Sequence, residues 1–87
     1  MDKEEFLKST VFMNLGQNIS HSSWQSAMMT LNRMKKASEE AGVHDFDRQM
    51  ASLRQCILNR NKKDALDCMA SVVSRRVSLI NELKKNG

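Results

Sequence analysis

Four side chains in this 87-residue sequence are of the kinds that attack, shuttle protons or ligate metals: His21, His44, Cys56 and Cys68. Both histidines fall in polar connectors, and no serine or cysteine stands at a spacing that would make a nucleophile of either pairing. The chain has no glycine-rich loop to cradle a phosphate and no paired-carboxylate motif for acid–base hydrolysis. Cys56 and Cys68 are separated by eleven residues. Even with His44 they lack the short paired spacing that makes a zinc signature specific. Two cysteines also fall short of the dense framework of small secreted domains, so reduced, part-buried thiols are the expected state. The reactive residue types therefore predict a protein that is not an enzyme and carries no cofactor or metal.

The residues that remain to be explained are basic. The formal net charge is +4, but it is unevenly held. Residues 1–47 carry five Lys or Arg against seven Asp or Glu, a balance of −2, and residues 48–87 carry nine against three, a balance of +6. Arg54, Lys62, Lys63, Arg75, Lys84 and Lys85 in that second half are the candidates for contact with phosphates, the electrostatic footprint of a small nucleic-acid-binding accessory or regulatory protein. Asp64, Asp67 and Glu82 dilute the set. With no Tyr, and with the single Trp in an apolar helical stripe, the stacking platform of a single-strand binder is missing. Arg76 is the odd member. Along 70–83 the apolar residues fall in one arc of a helical wheel, and with Leu66 at zero Arg76 lands inside it at about 280° while Arg75 lands outside at about 180°. An arginine there can snorkel, pair with a carboxylate such as Glu39 or Glu40 or one from a partner chain, or meet a phosphate.

One stretch, "KKASEEAGVHDF" at 35–46, resembles the turn of a helix-turn-helix repressor, in which a small residue precedes an "AGV" turn and the reading helix. The likeness covers about a dozen residues. It departs from the pattern at Arg48, where a branched apolar side chain is expected, and at Ala37. As an ordinary helix terminator, Gly42 explains the same letters.

Positioning these side chains requires helices. Proline is absent and glycine occurs only at positions 16, 42 and 87, so nothing but those glycines punctuates the chain. Asp2 with Glu5 has capping-box spacing, and apolar residues follow as far as Gly16, predicting a first helix over 3–15. After the polar "NISHSS", Ser22 with Gln25 offers a second capping box. Trp24, Ala27, Met28, Leu31, Met34 and Ala41 then recur at helical spacing over 23–41. Phe46, Met50, Leu53 and Ile57 step by four, three and four, a stripe for a helix over 45–59. Asn61 with Asp64 caps a last helix over 62–85, with Leu66, Met69, Val73, Val77, Ile80 and Leu83 as its apolar stripe. So short a link between the last two helices forces an antiparallel hairpin.

The expected fold is all-α: one small antiparallel bundle of three longer helices plus a short N-terminal helix, occupying residues 1–87. The last helix, about 36 Å long, outruns its hairpin partner, about 22 Å long, so some 14 Å of stripe must be covered by the N-terminal helices or by another subunit. Most of the seven methionines are expected as core filler. A domain of this size buries little more than about 60% of its unfolded surface, so self-association is a natural supplement. The predicted function is a non-enzymatic helical interaction module of adaptor or regulatory type. Its predicted partners are a second copy or another helical protein, met through Met29, Leu58, Val72, Arg76, Leu79 and Leu83. No run approaches a membrane span, and the acidic "MDKEEF" is unlike a signal peptide, which predicts a cytoplasmic protein with no membrane partner.

Overall fold

The computed structural model describes residues 1–86 and is all-α. Its elements are α1 (Lys3–Leu7), α2 (Val11–Ser20), α3 (Trp24–Ala41), α4 (Asp47–Leu58) and α5 (Lys62–Asn86). Helices α2 to α5 each pack on the next, α5 closes back on α2, and α1 lies against α3 and α5. The longest dimension, 40 Å, is close to the length of α5 itself, about 37 Å.

Three of the expected helix limits hold for the expected reasons. Gly42 ends α3 in the left-handed conformation at φ 68°, which lets the Val43 amide donate to the Ser38 carbonyl at 2.9 Å and buries Val43. Asn61 caps α5 reciprocally: its Oδ1 accepts from the Asp64 amide at 3.1 Å, and its Nδ2 donates to the Asp64 carboxylate at 2.8 Å. Asp2 accepts from the Glu5 amide at 2.8 Å at the start of α1.

The N-terminal region departs from expectation. The single helix over 3–15 is instead broken at 8–10, where Ser9 Oγ donates to the Phe6 carbonyl at 2.7 Å and takes up the backbone acceptor that would have served a following turn. Helix α2 then runs through Gly16, whose φ is negative, because Ile19 beyond it is fully buried and holds another turn in place. Half of the "NISHSS" connector is therefore helix. The expected Ser22–Gln25 box does not form: Ser22 is the left-handed residue that ends α2, at φ 55°, and α3 has no side-chain cap.

The core is continuous from end to end. Phe46, Met50, Leu53 and Ile57 are all buried, as their spacing requires. Phe6, Phe12 and Phe46, the three phenylalanines of the chain, form a triangle with centroids 5.3 to 6.1 Å apart in tilted and edge-on geometry. The two buried hydroxyls are satisfied: Thr30 Oγ1 donates to Asn18 Oδ1 at 2.7 Å, linking α2 to α3, and Ser38 Oγ donates to the Lys35 carbonyl at 2.8 Å.

Candidate interaction surface

On α5 the buried residues are Ala65, Met69, Val72 and Leu79, with Leu83 half-buried against the same core. With Arg76 between them they step by four and three along the helix. On the wheel this core stripe centres near 260°, whereas the apolar residues taken together centre near 310°. The arc is wider than the core needs, and the molecule uses one edge of it. The other edge remains outside: Leu66, Val73 and Val77 are 36, 45 and 48% exposed.

Two expected interface residues are thereby corrected. Val72 and Leu79 are core residues of this chain, buried in the one hydrophobic cluster that α1, α2 and α4 complete around α5. The overhang that motivated an intermolecular contact is filled from within. Met29 and Leu58 are exposed on α3 and α4, away from the α2–α5 face.

Arg76 is also resolved internally. Its Nε donates to the carbonyl of Leu7, the last residue of α1, at 2.6 Å, and its guanidinium carbon stands 5.1 Å from the centroid of the Phe12 ring. A carbonyl at a helix C-terminus has no partner within its helix, so the guanidinium satisfies it and stacks on an aromatic face in one placement. Neither Glu39 nor Glu40 is involved.

The phosphate candidates are all exposed, but they are not gathered. Lys62 and Lys63 begin α5 and Lys84 and Lys85 end it, about 33 Å away. Arg75 pairs with Asp45 at 2.9 Å, and Arg54 lies with its Nη1 3.9 Å from the Met28 sulfur. The helix-turn-helix likeness loses its register here: Arg48 is exposed, and the buried positions nearest it are Phe46, just before α4, and Met50 within it.

The reactive residues are dispersed. His44 contacts Asp47 at 3.2 Å on the surface, and His21 lies at the end of α2. Both cysteines are free and half-buried on the flank of the α4–α5 hairpin. Cys68 Sγ stands 3.4 Å from the Gln49 carbonyl, and burial, followed by the nearby Cys56, pushes its pKa above the usual thiol value. Among the described residues no group of three His, Cys, Asp or Glu side chains is placed to hold a metal, and no helix is long and apolar enough to cross a membrane.

What the structure assembles instead is a groove. Helices α2 and α5 run antiparallel, with Phe12 beside Arg76 and Gly16 facing Met69, where a Cβ on Gly16 would meet the methionine methyl at 3.9 Å. Between them lies a shallow depression of about 730 Å³ with Met13, Gly16, Leu66, Ala70 and Val73 in its lining. Met13 is 60% exposed, and Val77 extends the apolar row beyond Val73. Residues 9–32, which include all of α2, contain no Lys, Arg, Asp or Glu. Of the groove-lining residues only Arg76 is formally charged, and its guanidinium is engaged with Leu7 and Phe12. Periodicity puts Leu66, Val73 and Val77 on the same apolar stripe as the core residues of α5. The width of the apolar arc was the signal that not all of them fit in the core.

A second depression of about 560 Å³ between α3 and α4 has Lys35, Glu39, His44, Asp47 and Arg54 in its lining, a mixed set without convergence on one ligand sign. No protein-family model, curated protein or solved structure matches the chain. The class of protein is therefore defined by its own geometry: a small all-α bundle with an exposed apolar row along the α2–α5 groove.

Proposed function

We propose that this protein is a non-enzymatic helical interaction module, of adaptor or regulatory type, that acts in the cytoplasm by docking a helix of a partner protein against the α2–α5 face. The observation that carries this reading is the exposed row Met13, Leu66, Val73 and Val77 around a groove whose lining holds one formal charge, Arg76. Contiguous exposed apolar surface rimmed by polar residues is a mark of interaction sites, and a groove between two helices accepts a third by seating its side chains between theirs. Gly16 and Ala70 leave room for such side chains. The test compares the wild type with Val73→Lys in affinity capture from the source cells. A protein recovered by the wild type and lost with the variant supports the reading; identical captured sets overturn it.

The exposure of Arg54, Lys62, Lys63, Arg75, Lys84 and Lys85 favours a second reading, a nucleic-acid-binding accessory protein held by nonspecific phosphate contacts. Replacing Arg75, Lys84 and Lys85 by Ala should then weaken DNA binding and flatten its dependence on salt. No binding at low salt rejects it.

A further inference from the structure

We infer that the occupant of the α2–α5 face is a second copy of this chain, forming a weak symmetric dimer in which each copy lays α5 across the partner's groove. The inference rests on the interaction-module reading and commits it to one partner. The argument is electrostatic. Each copy carries +4, so two copies repel wherever their lysines and arginines meet. A symmetric dimer brings a patch against itself, so every charge on that patch faces its like or must find a partner across the axis. The α2–α5 face lowers this cost. All of α2 lies within the uncharged run 9–32, and the one formal charge of the groove lining, Arg76, is held against the Leu7 carbonyl and the Phe12 ring.

Spacing supports the same occupant. Leu66, Ala70, Val73 and Val77 step by four, three and four, the repeat that lets one helix seat its side chains between those of another. In this row Leu66, Val73 and Val77 are knobs, and small Ala70, with Gly16 across the groove, leaves the hole. The face thus presents both halves of a self-complementary contact.

Its area sets the strength. Leu66 to Val77 covers about 17 Å of α5. With α2 alongside at about 10 Å, the face is on the order of 350 Å². That is less than half of the roughly 800 Å² each partner gives to a stable complex, so the expected dimer is weak and populated only at high protein concentration.

Sedimentation equilibrium on the full chain from about 10 µM to about 1 mM covers the range in which a weak dimer populates. The expected result is monomer passing to dimer, strengthened by added salt because screening relieves the +4 repulsion while leaving the apolar contact intact. Val73→Lys and Met13→Ser, both at exposed positions, should each weaken association at least about tenfold with helicity and unfolding midpoint unchanged. A wild type that stays monomeric to about 1 mM overturns the inference, as does a dimer that both variants leave intact or that salt dissociates. If the wild type is monomeric while Val73→Lys still loses a captured protein, the self-pairing fails and the interaction-module reading stands. If neither effect is seen, both fail.

Discussion

Arg76 shows how one side chain can be placed by a residue 69 positions away in sequence. It lies on the core stripe of α5 because the acceptor it serves, the Leu7 carbonyl, is brought there by α1. A hydrogen bond from a charged donor contributes about 1.5 to 3 kcal/mol and a part-buried cation–π contact about 1 more. Arg76→Met, which keeps the stem and removes the donor, should therefore lower the unfolding free energy by about 2 kcal/mol in urea titration. Arg75→Ala, which breaks only the half-exposed pair with Asp45, should cost under about 1 kcal/mol. Cys68 gives a second test. Its pKa is raised in the folded chain, so the thiol contributes stability while neutral, fully present below the ordinary thiol range and lost as pH rises through the raised value. Iodoacetamide should accordingly label Cys68 more slowly in the folded protein at pH 8 than in urea at the same pH, and the unfolding midpoint should fall as pH rises beyond the ordinary thiol range.

The helix ends carry the next set of expectations. Three helices stop in the left-handed conformation, at Ser22, Gly42 and Arg60, and only the middle one has the residue suited to it. Arg60 at φ 53° is required because the Asn61 amide must turn back to the Cys56 carbonyl at 2.8 Å. Arg60→Gly should raise stability by about 0.5 to 1 kcal/mol, with the denaturant midpoint as the readout. Asn61→Ala, which removes the cap of the helix beginning one residue later, should lower it by about 1 kcal/mol. At this scale α4 was legible because one clean stripe had one face to bury. The break at 8–10 was not: Ser9 is compatible with a helix locally, and the alternative bond to the Phe6 carbonyl is a choice between local structures that apolar periodicity does not weigh.

For the molecule as a whole, α1 matters beyond its five residues. Phe6 and Leu7 are fully buried, and Phe6 contacts both other phenylalanines where α2 and α4 begin and α5 overhangs. Phe6→Ala should cost about 3 to 5 kcal/mol, a large part of what a domain this small possesses, visible as a thermal transition displaced downward or lost. The charge division read along the chain does not become a basic patch, because α5 carries its lysine pairs to opposite ends of the bundle, about 33 Å apart.

The all-α class, the core stripes of α3 and α4, the stop at Gly42 and the Asn61 cap were set by the sequence alone, since each depends on residues within a few positions of one another. Which edge of α5 is core was decided only by the fold. Periodicity reports that one side of a helix is apolar, and the arc on α5 is wide enough for a core and for something more. Helix α1, arriving from the far end of the chain, packs on α5 and holds Arg76 inward through the Leu7 carbonyl. That contact turns Leu66, Val73 and Val77 outward beside an uncharged α2. The candidate surface is thus the part of the apolar arc left over once the core is closed, a remainder fixed by the packing of neighbours and not by any residue in it.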